Sequence, residues 1–276
     1  MTKTLCYLAV ERYNSVPGGY YVPSSHAIIR ARREGSRVMR SMFLCLFVIG
    51  LLVLSTCVWA SVSGPLTVKA TSGGKVASLS YDWSGDSYNL LAPVSLKAGD
   101  GTVLGMLNGL SCGMGADPFL TLNFAVEAVG DTNFMFDTGV LSFPTISPAM
   151  AFATAATTLT ADGNGATFVG NFVGKGYEAT YNGGTVFADL DSSFVSPADT
   201  STTESERQPV AGFAGIGVPV SSIRAQWDFT LSGGDSASGT SRFDVEAVPD
   251  ANTFVLAFVG AAPLLAGWVV RRRATA

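Results

Sequence analysis

Residues 61–247 are predicted to fold as an all-β domain, an antiparallel β-sandwich of jelly-roll-like or Ig-like type. Three observations carry that expectation. Apolar and polar residues alternate with period two, turn-forming residues separate the alternating runs, and no run in this body carries a helical stripe. Alternation of this kind places one strand face in a core and the other in water.

The runs are readable in chain order. Leu120, Leu122, Phe124 and Val126 alternate with Thr121, Asn123 and Ala125. Ala151–Ala161 is rich in alanine, which favours helix by propensity. Its threonines and the Asp162–Gly163–Asn164–Gly165 turn that follows predict a strand hairpin instead. Tyr177–Tyr181 and Thr185–Leu190 alternate more weakly, whereas Gln226–Leu231 and Arg242–Ala247 alternate strictly. Ser72–Gly74, Asp100–Gly101, Asn182–Gly184 and Ser232–Asp235 supply residues that accept positive φ. About ten strands at short spacing fit a sandwich. Ser196–Gln208, dense in Ser, Thr and acids, is predicted as a long exposed loop.

Charge and cysteine content exclude whole classes of function. Residues 61–250 hold seven Lys+Arg against 19 Asp+Glu, a formal charge of −12. Without a basic stripe there is no electrostatic footprint for nucleic acid. Cys112 is the only cysteine in this body, so no internal disulfide forms and the core must hold the fold. The chain's single histidine is His26, outside the body.

The two ends have their own character. Arg30, Arg32, Arg33, Arg37 and Arg40 precede an apolar run from Met42 to Leu54, and Val58–Trp59–Ala60 follows it. That order is the n-region, h-region and cleavage site of a secretory signal, so residues 39–60 are expected to be a signal helix cleaved after Ala60. Residues 1–38 show no periodicity. They are expected to be a disordered extension, or to lie upstream of a true start at Met39 or Met42.

At the other end, Val248–Pro249–Asp250–Ala251–Asn252–Thr253 leads into apolar residues 254–270 and then Arg271–Arg272–Arg273. Seventeen residues at helical rise span about 25 Å, close to a bilayer core. A transmembrane helix is therefore expected over 254–270, with the arginines cytoplasmic and the body on the far side.

A Val–Pro–acid start, a nearby Thr, an apolar helix and a terminal Arg cluster together resemble the sorting tail of the PEP-CTERM family. The resemblance covers residues 248–273 and rests on Val248, Pro249, Asp250, Thr253, Arg271, Arg272 and Arg273. The chain has Pro249–Asp250–Ala251 where the family usually has Pro–Glu–Pro, so the match is to a variant form. Such tails occur on exported proteins of Gram-negative bacteria that make extracellular polysaccharide. The resemblance implies an exosortase-like processing enzyme as partner and the cell surface or extracellular matrix as destination.

Inside the body the catalytic inventory is thin. A Ser–His–Asp or Cys–His arrangement needs an imidazole, and the body has none. Cys112 is therefore expected to be a small buried group, and the Cys/His residues are too few for a zinc site. No phosphate-binding loop ends in Gly–Lys–Ser/Thr. Glu127, Glu178 and Glu246 read as a solvated sheet face rather than a glycosidase pair. Calcium is the one metal the sequence suggests. Its candidates are Asp162 with Asn164 in a turn, and Asp189 with Asp191, two residues apart on one strand face. A hairpin turn and a polar sheet face explain the same residues without an ion. Trp227 is expected in the core, whereas Trp83 stands beside a turn, and Tyr177 and Tyr181 share a face.

The expected function is non-enzymatic, without a cofactor: a structural or interaction module of an exported surface or matrix protein. The alternative is a carbohydrate-binding or calcium-stabilised adhesion module, with extracellular polysaccharide as a candidate partner.

Overall fold

The computed structural model describes residues 61–248 apart from residues 84, 85 and 116. The expected signal helix with its cleavage after Ala60, the transmembrane helix over 254–270, and Pro249, Asp250, Thr253 and Arg271–Arg273 lie outside the described residues. Val248, where the expected tail begins, donates its N–H to Pro148 O at 3.0 Å.

The chain forms two antiparallel sheets packed as a sandwich. In order, the strands are β1 Ser61–Ser63, β2 Leu66–Ser72, β3 Lys75–Tyr81, β4 Ser87–Asn89, β5 Val94–Lys97 and β6 Val103–Gly115. Next come β7 Phe119–Ala128, β8 Thr132–Asp137, β9 Val140–Ile146, β10 Ala149–Thr160, β11 Ala166–Gly170 and β12 Lys175–Tyr181. The last are β13 Thr185–Ser192, β14 Phe194–Ser196, β15 Ser201–Gln208, β16 Ala214–Ile216, β17 Val220–Leu231 and β18 Ser236–Ala247. One sheet has ten strands and is organised around β17, which pairs with β8 and β9 as well as β11 and β12. The other has eight strands, and its main path runs β15-β10-β18-β7-β6-β4.

Alternation fixes which faces meet. The odd residues of β10 from Ala149 to Leu159 are buried, as are Leu120, Leu122, Phe124 and Val126 of β7. Trp227, Phe229 and Leu231 of β17 are fully buried from the opposite sheet. Aromatic rings lock the layers together. Phe124 of the eight-stranded sheet stacks on Phe136 at 4.6 Å and on Phe229 at 5.3 Å, and meets Trp227 edge-on at 5.1 Å. Each such side chain contributes about 2–3 kcal/mol by leaving water. Gly239 makes room for this stack, since a Cβ there would lie 2.4 Å from the Phe124 ring.

Two sequence expectations are corrected. Ser196–Gln208 is not one loop: Ser201–Gln208 forms β15, paired over its full length with β10. As an edge strand it buries little, so it needs no apolar alternation. Hydroxyl pairs tie it down instead, Thr158 with Thr203 and Thr160 with Ser201, each at 2.8 Å. The Asp162–Gly165 turn is not a hairpin either, because β10 and β11 belong to different sheets. It is a corner, held by Asp162 N–H donating to Asp235 Oδ1 at 2.9 Å and by Asp199 N–H donating to Asp162 O at 2.9 Å. By contrast, Ser72–Gly74, Asp100–Gly101 and Asn182–Gly184 close hairpins as expected.

Candidate functional site

The outward face of the eight-stranded sheet carries an open groove of about 520 Å³. Thr154 and Ala156 of β10 form its floor, with Thr240 of β18 on one side and Ser205 and Arg207 of β15 on the other. Register sets this arrangement. Thr154 lies opposite Arg207, and Ala156 lies opposite both Ser205 and Thr240. Val210, in the loop after β15, forms part of the wall and is 88% exposed.

Arg207 organises that wall. Its guanidinium lies 4.4 Å above the Phe152 ring. Phe213 packs edge-on against the same ring at 4.9 Å. Arg207 Nε donates to Pro209 O at 3.1 Å, and Nη2 donates to Gly212 O at 2.8 Å. The side chain thus fixes both the loop and its own head group. The groove is lined by hydroxyls, small methyl groups, an apolar rim, one held cation, and Glu206, whose carboxylate is engaged by Lys175 and by Ser192 N–H.

The same face continues across β18, β7 and β6 as a polar ladder. Thr240 Oγ1 donates to Asn123 Oδ1 at 2.5 Å, and Asn123 Nδ2 donates to Ser111 Oγ at 3.0 Å. Arg242 lies 4.8 Å above the Phe119 ring and grips Asp244 with two hydrogen bonds, at 2.5 and 2.9 Å. Strand alternation aims these side chains outward while Phe243 and Val245 enter the core.

The calcium candidates do not gather. Asp162 Oδ1 accepts Asn164 N–H at 3.0 Å, which closes the turn on itself. Asp189 is exposed, whereas Asp191 is fully buried, so the two do not share a face as expected. The cause is backbone: Asp191 has φ of 68°, which breaks the alternation of β13. Asp191 Oδ2 accepts from Thr157 Oγ1 at 2.7 Å, and its Oδ1 has no partner among the described residues. Burial pushes this carboxyl up to about 7; the Thr157 bond opposes the rise, and Glu206 and Glu204 add to it. Among the described residues no three His, Cys, Asp or Glu side chains converge as metal ligands.

The other singled-out residues fall into place. Cys112 is buried, and burial pushes its thiol up to about 12, far from a reactive thiolate. Glu127 and Glu246 are exposed, and Glu178 lies half-buried opposite Asp189. Trp227 and Tyr177 are core residues, Tyr181 packs at the core margin, and Trp83 is also buried. None of these aromatics forms an exposed platform. The residues around the groove that sequence reasoning missed are Phe152, Thr154, Arg207 and Phe213. Phe152 sits in an alanine–threonine run and Arg207 in a segment expected to be a loop. Only the pairing of β10 with β15 brings them together.

No family model and no curated protein matches the chain. Among solved structures, the chain is similar to a CBM61 carbohydrate-binding module in complex with β-1,4-galactotriose. The identity is 11% and the TM-score 0.26, over 59% of this chain and 87% of that one. It is also similar to a structure of infectious bursal disease virus, Gx strain. There the identity is 10% and the TM-score 0.23, over 69% of this chain and 57% of that one.

Proposed function

We propose that this sandwich is the non-enzymatic binding module of an exported surface or matrix protein, and that it holds an extracellular polysaccharide in the groove of its eight-stranded sheet. The observation that carries the reading is the lining of that groove. Hydroxyls of Thr154, Ser205 and Thr240 stand beside the apolar surface of Val210 in an open trough. Sugars present the matching chemistry, hydroxyl edges and C–H faces, so one surface of this kind serves both. An open trough also accepts an internal segment of a long chain, which a closed cavity does not.

The ends of the sequence support the destination. The basic-then-apolar segment before Ala60 fits export, and residues 248–273 fit a sorting tail read by an exosortase-like enzyme. The membrane helix over 254–270 then anchors the body outside until the tail is processed. We take the sandwich as jelly-roll-like or Ig-like; both place strands distant in sequence side by side, as β7 and β18 are.

The test is a glycan array followed by calorimetric titration, using the full chain in detergent micelles. Binding to at least one polysaccharide is expected, with loss on Thr154→Val combined with Ser205→Ala. Silence across the array, from protein whose melting is cooperative, would overturn the reading.

A further inference from the structure

We infer that the groove selects an anionic polysaccharide, with the carboxylate or sulfate ester of one sugar seated on Arg207. This rests on the groove being a glycan site. Of the three arginines among the described residues, Arg224 is held by Asp137 and Arg242 by Asp244. Among the described residues Arg207 has no carboxylate partner. Glu206 also lines the groove, but its carboxylate is taken by Lys175 at 2.8 Å and by Ser192 N–H rather than by Arg207. In a body of formal charge −12, an arginine left without its counterion on a groove wall stands out against its surroundings.

The guanidinium is also prepared for a ligand. Two of its five N–H groups are spent on Pro209 O and Gly212 O, and its central carbon sits 4.4 Å over the Phe152 ring. The other N–H groups have no acceptor among the described residues, and the fork they form matches two oxygens of a carboxylate or sulfate. Because the loop and ring already immobilise the side chain, little rotamer freedom remains to be lost on binding. Thr154, directly opposite on β10, and Ser205, two residues away on the same strand face, place hydroxyls beside the anion for the sugar's own hydroxyl groups.

The experiment titrates full-length chain with three polymers: a polyuronate, a sulfated galactan and a neutral galactan. Wild type is expected to bind a charged polymer more tightly than the neutral one, with affinity falling as salt rises. Arg207→Gln should weaken that binding by about tenfold or more, and Arg207→Lys, which keeps charge but not the fork, by less. Melting of each variant is recorded. If Arg207→Gln fails to fold, the wild-type polymer preference, its salt dependence and the lysine variant still decide. Equal binding of neutral and charged polymers, or charged binding indifferent to Arg207 and to salt, overturns this inference while leaving the glycan reading standing. No binding to any of the three, together with a silent array, overturns both.

Discussion

Thr157 Oγ1 donates to Asp191 Oδ2 at 2.7 Å, joining β10 of one sheet to β13 of the other in a site closed to water. Burial raises the Asp191 carboxyl from 3.8 to about 7. Between those values the folded protein holds a proton that the unfolded chain has released. The stabilisation is therefore complete below the ordinary carboxylate value and is lost as pH rises through about 7. Asp191→Asn should remove this slope. Its unfolding free energy should exceed that of wild type at about pH 8, by on the order of 2–4 kcal/mol, and match it near pH 4. Urea denaturation at both pH values checks the difference. Parallel pH curves for the two proteins would show that Asp191 titrates normally.

A second bond between the layers has a simpler consequence. Trp227 Nε1 donates to Ser241 Oγ at 3.0 Å in the core, and Ser241 Oγ donates in turn to Leu122 O at 3.3 Å. Ser241→Ala leaves the indole N–H buried without an acceptor, which should cost about 1–3 kcal/mol. Trp227→Phe removes donor and volume together and should cost about as much. The double variant should cost less than the sum of the two, because the orphaned group disappears. Midpoints and slopes from chemical denaturation give all four corners of the cycle, and strict additivity would argue against the coupling.

Gly239 is present because Phe124 needs its space. A Cβ at 239 would meet Phe124 Cε1 and Cζ at 2.4 Å, and that ring is pinned by Phe136 and Phe229. Gly239→Ala should cost about 1–3 kcal/mol through overpacking. Adding Phe124→Leu to the same chain should recover part of that loss, although Phe124→Leu alone destabilises. A double variant weaker than either single one, measured by thermal melting, would mean that the glycine serves some other purpose.

The sequence was legible where burial enforces a period, and illegible where it does not. Leu120–Val126 and Gln226–Leu231 betray their strands because water faces one side and the core the other. β15 gives no such signal, since Glu204 and Arg207 are exposed and the inward-reaching Glu206 is itself charged, paired with Lys175. Its strand character comes from eight residues of β10, Ala153–Thr160, which take it as partner on their open side. Turn chemistry marks where the chain bends but not which sheet receives the next strand. Asp162–Gly165 and Ser232–Asp235 therefore look like hairpins and are corners between layers. The groove inherits both gaps. Thr154 and Arg207 are 53 positions apart in sequence and become neighbours only through register. Asp191 misleads for a local reason, because one residue with φ of 68° turns an expected surface carboxylate inward.

The pair Glu178 and Asp189 sets the last expectation. They are cross-strand partners on β12 and β13. Burial raises both carboxyls, Asp189 adds to the rise at Glu178, and Arg224 reduces it only in part because Asp137 already engages that guanidinium through Nε at 2.8 Å and through Nη2. Both groups are raised, so their contribution is favourable when protonated and is lost as pH rises past the carboxylate range. Glu178→Gln removes one charge from the facing pair. It should stabilise the fold near neutral pH by about 0.5 kcal/mol, less at high salt. At about pH 3 the variant and wild type should melt together, since the repulsion is then absent from both. A variant less stable than wild type at neutral pH would show instead that Glu178 is held by Arg224, with Asp189 too far away or too well solvated to oppose it.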